Sequence, residues 1–209
     1  MTRAGIVGYL RLALALGCGI ALIFRYFWGL GSATFRAGNF FGYLTIESNI
    51  GFVAMSILGG VVALRSATDP GWLTTARAVV LTCTVSSGVV YALLVQQSAV
   101  RGLPISVPWS DVVLHWVLPV LAIAEWTLVR GRGRAAWRSI VIVIGFVVVW
   151  GVLTLLRGAI VGWYPYFFLD PNQVSGIPEL AVYSAIALAF FAAIAAGVVG
   201  LSLVRGERR

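Results

Sequence analysis

The chain has 209 residues, of which 60% are hydrophobic and only 11% charged, with a mean hydropathy of +0.98. Soluble domains carry roughly 25% charged and about 45–50% apolar residues, so a cytosolic enzyme, a nucleic-acid-binding domain, a disordered tail and a disulfide-stapled secreted module are all excluded. The formal charge of +8 comes from 15 basic residues, every one an arginine, against 7 acidic ones. In a soluble chain that excess would point to nucleic acid; here the positions of the arginines make it a matter of membrane topology.

Windows of about 20 apolar residues, the length that crosses roughly 30 Å of hydrocarbon, predict an all-α, polytopic protein. It is read as a single six-helix transmembrane domain over 1–209. The first span, Ile6–Trp28, carries Arg11, Cys18 and Arg25. It is too long for the apolar core of a signal peptide and no small-residue cleavage site follows it, so it is read as retained. The second, Leu44–Ala63, opens with Thr45-Ile46-Glu47-Ser48-Asn49. Thr45, Ser48 and Asn49 stand one above the other on one helix face, with Glu47 turned elsewhere. Such hydroxyls also bond back to carbonyls one turn earlier, and an asparagine also joins two helices, so a structural reading stands beside a chemical one.

The link Arg65–Arg77 contains the turn Asp69-Pro70-Gly71 and leads to the third span, Ala78–Gln97, which holds Cys83. Neither cysteine has metal-ligand spacing, and both are read as small apolar core residues. The fourth span, Asp111–Val129, opens with Asp111 and the chain's one histidine, His115, as i, i+4 neighbours. At that spacing a carboxylate is able to orient an imidazole. Pro119 takes away the usual partner of the His115 carbonyl and predicts a kink. The link Arg130–Arg138 and the fifth span, Ser139–Leu156, follow. Then comes a long aromatic stretch, Gly158–Glu179, before the sixth span, Leu180–Val204. A loop so apolar is expected to lie at the interface or fold back over the bundle.

Arg3, Arg65, Arg77, Arg130, Arg132, Arg134, Arg138, Arg205, Arg208 and Arg209 fall at the termini and in the second and fourth links. Only Arg36, Arg101 and Arg157 fall on the other side, which predicts that both termini are cytoplasmic. Ionisable groups within spans cost ~2.5–3.5 kcal/mol on insertion scales, so each needs a reason. Arg25, Glu47, Asp111, His115 and Arg157 all come to the outer end of the bundle. Arg11 and Glu125 share a depth in the cytoplasmic half and are expected to pair, with snorkelling of Arg11 as the alternative.

A hydroxyl and an imidazole on different helices at one depth suit nucleophilic catalysis. Neutral imidazole is the natural base for a threonine hydroxyl near pH 7, Asp111 would orient it, and Asn49, Tyr164 or Tyr166 would donate to an oxyanion. One histidine does not make a haem or zinc site, so no metal or cofactor is expected.

The segments TIESN at 45–49, His115 opening the fourth span, and RGAIVGWYPYFFLDP at 157–171 resemble the androgen-induced-gene-type family of integral membrane hydrolases. The arginine-only basic usage and the Tyr-Pro-Tyr loop are most similar to its bacterial members. The resemblance implies a threonine hydrolase of lipid esters, such as fatty acid esters of hydroxy fatty acids, with Thr45 as nucleophile and His115 as essential base. It implies a lipid substrate met in a bacterial plasma membrane, and the arginine topology puts the site near the outer leaflet. A carboxylate-bearing lipid would want a cation, for which Arg25 and Arg157 are candidates; a charge at a helix C-terminus is the plainer role for Arg157. Trp163, Tyr164, Phe167 and Phe168 would line an acyl entrance or anchor the interface, and Tyr166 would contact substrate. No nucleic-acid partner is expected, and assembly into a homo-oligomer is left open. Two alternatives use the same polar cluster without hydrolysis: a transporter that relays protons or binds a solute, and a lipid-binding bundle.

Overall fold

A computed structural model describes residues 2–66, 68–100, 102, 107–129 and 131–205. Arg101, Arg130, Arg208 and Arg209, four of the arginines that carry the topology reading, lie outside the described residues. The fold is all-α, with no strand among the described residues. Six helices among them are long and apolar enough to cross a membrane, which fits an integral membrane protein. They are α1 (Arg3–Leu30), α3 (Leu44–Arg65), α4 (Gly71–Val100), a broken helix over Trp109–Leu128, α7 (Arg138–Val161) and α8 (Ile177–Arg205). A short helix, α2 (Ala37–Phe40), lies between α1 and α3.

Local chemistry sets several boundaries. Thr2 caps α1, its hydroxyl accepting from the amide of Gly5 at 3.1 Å. Gly162, at φ 67° and ψ 27°, ends α7 in the left-handed conformation that glycine adopts without a Cβ penalty. The broken helix consists of α5 (Trp109–Val112), a π-helical turn (Val113–Val117) and α6 (Leu118–Leu128). Pro119 has no N–H to offer the His115 carbonyl, and the amide of Leu118 reaches back to Val113 in the wider π register. The predicted kink is thus a change of helical register.

Two boundaries differ from expectation in ways that matter. Helix α4 begins at Gly71 rather than Ala78, so Arg77, expected in a link, is buried inside a helix. Helix α7 runs to Val161, which places Arg157 inside its last turns. The first shift is tolerated because the charge of Arg77 is compensated on the spot. Its Nη1 lies 2.8 Å from Asp69 Oδ2, and its Nη2 bonds Glu125 Oε2. Arg11 completes the ring, pairing with both oxygens of Asp69 at 2.7 and 2.8 Å and with Glu125 Oε1 at 2.8 Å. It also donates to the carbonyl of Gly59. The expected Arg11–Glu125 pair is therefore half of a four-member network of two cations and two anions. All four side chains are buried, at the bundle end that carries the start of α1 and the ends of α3, α6 and α8.

Between the two ends the core is built from small and aliphatic side chains, among them Cys18, Ala21, Ala78, Leu114, Leu118 and Val199, around Trp126. The indole of Trp126 donates to the Val198 carbonyl at 2.9 Å. Close packing and such interhelical bonds are what associate helices in lipid, where apolar burial offers little net gain. Cys18 and Cys83 are both free and buried.

Candidate active site

At the end opposite the ion ring, a cavity of about 340 Å³ lies among the last turn of α1, α2, the first turn of α3, the C-terminal half of α4, the broken helix and the loop after α7. Its rim carries the exposed residues Ser32, Thr34 and Arg36, and its wall includes the buried residues Thr45, Ser87, Asp111 and His115. Arg25, Tyr43, Tyr91, Trp163 and Tyr166 also face it.

His115 sits in the π turn. Its Nδ1 is 2.9 Å from the main-chain carbonyl of Asp111 and 4.0 Å from the carboxylate oxygen Oδ1. A carbonyl only accepts, so Nδ1 carries the proton, and in the neutral ring Nε2 holds the lone pair. That tautomer is assigned from the bond and is the one a general base requires. Asp111 therefore holds the imidazole through its backbone carbonyl and not through the carboxylate to which the spacing pointed. Its carboxylate is taken by Arg25, whose Nε lies 2.7 Å from Oδ1, because a guanidinium is the stronger partner for an anion. The ring plane is fixed from α4: Tyr91 stacks on His115 with centroids 3.8 Å apart and planes 13° apart. Gly88, one turn away on the same helix, permits this approach, since a Cβ there would lie 2.6 Å from the His115 carbonyl oxygen.

Thr45 belongs to the first turn of α3. Its carbonyl accepts from Ser48 Oγ at 3.0 Å and Asn49 Nδ2 at 2.8 Å, which is the back-bonding of the structural reading. Its side chain shares the cavity wall with the phenol of Tyr166. Burial pushes that phenol up to about 12, with Thr45 acting against the shift, so Tyr166 stays protonated near neutral pH. Burial likewise raises the phenol of Tyr43, opposed by the charge of Arg25. No hydrogen bond joins Thr45 to His115; they share the cavity wall.

Several expected site residues stand elsewhere. Asn49 is fully buried off the cavity, and besides its bond to Thr45 it receives the thiol of Cys18 at its carbonyl (3.5 Å) and at Oδ1 (3.6 Å). Its Nδ2 bonds within α3 and its Oδ1 receives the thiol from α1, so the amide stays in the helix contact and offers no donor to the cavity. Arg157 also stays off the cavity, donating to Asn39 Oδ1 at 2.7 Å and to the Gly38 carbonyl at 3.2 Å while lying over the Trp163 ring. It clamps α2 to the aromatic loop. Tyr164 is seated on Gly158, whose hypothetical Cβ would overlap its ring, and does not line the cavity. Glu47 lies toward Trp150 and does not line the cavity.

The aromatic loop folds back over the bundle, with Leu169 buried and Tyr43 edge-on to Trp163 at 5.3 Å. Phe168 stacks on Tyr166 at 5.3 Å while Phe167 remains exposed. Of the nine expected site residues, Thr45, His115, Asp111, Arg25, Trp163 and Tyr166 are brought together. Sequence reasoning missed Ser87, Tyr91 and Arg36. Ser87 and Tyr91 stand four apart in the C-terminal half of the third span, the same spacing that singled out Asp111 and His115. Among the described residues, no three His, Cys, Asp or Glu side chains cluster to hold a metal ion.

Compared with known family models, curated proteins and solved structures, the chain shows no match.

Proposed function

We propose that this chain is a membrane-embedded hydrolase of lipid esters, with Thr45 as nucleophile and His115 as general base and then acid. One observation carries the reading: a buried threonine hydroxyl and a histidine with Nε2 uncommitted stand on the wall of one cavity, supplied by different helices. The resemblance of the segments around 45–49, His115 and 157–171 to the androgen-induced-gene-type hydrolases supports the same pair. The distribution of arginines supports a topology with both termini in the cytoplasm and the cavity toward the outer leaflet of a bacterial plasma membrane.

The chemistry follows from the tautomer. Thr45 Oγ attacks the ester carbonyl carbon as its proton passes to His115 Nε2, the two groups closing to bonding distance with substrate between them. Collapse of the tetrahedral intermediate breaks the bond to the alcohol oxygen, which takes the proton from Nε2. Water then repeats the sequence on the acyl-threonine, releasing the acid and restoring the hydroxyl. Transport fits less well, because the opposite end of the bundle is closed by the ion ring and transporter sites lie near the midplane.

The test is labelling of the purified protein by a fluorophosphonate probe. Wild type and Thr45→Ser are expected to label, with Thr45→Val and His115→Ala silent while eluting as folded protein. Equal labelling of wild type and Thr45→Val would sink the assignment.

A further inference from the structure

The geometry points to Arg25 as the donor that stabilises the oxyanion of this reaction, an assignment that rests on the hydrolase reading above. Two of the groups expected in that role, Asn49 and Tyr164, stand off the cavity, and Tyr166, though on its wall, is a neutral phenol with no charge to offer an oxyanion. Ser87 spends its hydroxyl proton on the Thr84 carbonyl, at 2.9 Å. Arg25 is different. Its Nε is fixed on Asp111 Oδ1 at 2.7 Å, and its guanidinium lies over the Trp28 ring, 4.8 Å from the centroid. The side chain lines the cavity with Thr45 and His115, and no protein group among the described residues bonds Nη1 or Nη2.

A guanidinium held this way suits a transient charge better than a permanent one. Asp111 neutralises it overall, which weakens its pull on an anionic head group. The oriented N–H donors still meet the negative charge that appears on the carbonyl oxygen when Thr45 Oγ adds and the π electron pair moves onto that oxygen. When the pair returns and the alcohol oxygen departs, the charge at Arg25 disappears again. Asp111 thus serves both groups, its carbonyl holding the base and its carboxylate holding the donor. Arg25 acts in the transition state and is not the receptor for a substrate carboxylate.

The experiment is steady-state hydrolysis of p-nitrophenyl octanoate by the full chain in detergent, for wild type, Thr45→Val, Arg25→Gln and the charge-neutral double variant Arg25→Gln/Asp111→Asn. Loss of an oxyanion donor is expected to lower kcat by about 10²–10³-fold and leave KM within about threefold in both Arg25 variants. The double variant guards against misfolding caused by an unpaired Asp111. The imidazole NMR signal of His115, the only histidine in the chain, reports whether the site is intact. A raised KM with unchanged kcat would make Arg25 a head-group receptor and overturn the assignment, as would full activity in either variant. Absence of turnover by wild type, or turnover that survives Thr45→Val, would remove the hydrolase reading itself and this assignment with it.

Discussion

Asp69→Asn tests the ion ring most directly, because the substitution keeps shape and removes one charge. In the folded protein this carboxylate receives two bonds from Arg11, at 2.7 and 2.8 Å, and one from Arg77 at 2.8 Å. At an effective dielectric of about 20, a unit pair at that distance is worth about 6 kcal/mol before desolvation. Desolvation of buried ions returns several kcal/mol each, so the intact ring contributes little net stability. Its breakage is another matter: one excess buried positive charge costs about 3–5 kcal/mol. For a chain of this length that lowers the melting midpoint by about 6–20 °C, read by tryptophan fluorescence at fixed detergent. Asp69→Asn/Arg77→Leu restores neutrality around Arg11 and Glu125, and its midpoint should lie above that of the single variant. A change under about 2 °C for Asp69→Asn, or a double variant less stable than the single one, would refute the reasoning.

Tyr91→Phe removes a buried hydroxyl that has no partner and keeps the ring on His115, so it should raise stability by about 1–3 kcal/mol with labelling intact. Tyr91→Leu removes the stack and should slow labelling while leaving the protein folded, as gel filtration would verify. Gly158→Val forces Tyr164 off its seat and should release the aromatic loop, seen as faster limited proteolysis within 162–176. Arg132→Met removes a cation only 1% exposed whose Nε and Nη2 lack partners. Burial lowers its pKa to about 10, so its charged form at neutral pH is held against a cost. The substitution should be neutral or stabilising, by up to about 4 kcal/mol, and a fall in midpoint would show that its stacking on Trp126 outweighs that cost.

Periodicity and composition were enough to read the six helices, since any chain this apolar has to satisfy its backbone within helices long enough to span hydrocarbon. The grouping of Thr45, His115, Asp111 and Arg25 at one end was also legible, because antiparallel helices carry depth directly from sequence position. So was the Arg11–Glu125 pair, from matching depth and opposite charge. Depth says nothing of azimuth, however. Asn49 and Thr45 share a helix face, yet one turn is enough to take Asn49 out of the cavity and into contact with Cys18. Arg157 and Glu47 have the right depth and the wrong direction.

The division of Asp111, carbonyl to His115 and carboxylate to Arg25, depends on a π turn whose register is set by Pro119 and by the close approach of Gly88. Asp69 entered the ion ring from a link that reads as an ordinary turn, and Arg77 from within a helix that reads as beginning after it. Sequence alone determined which membrane-spanning elements exist and which end each polar group reaches, because those follow from local hydrogen bonding and the thickness of the bilayer. Only the tertiary structure decided which side chains meet, because that depends on helix rotation and register, and a single turn or a missing Cβ changes both.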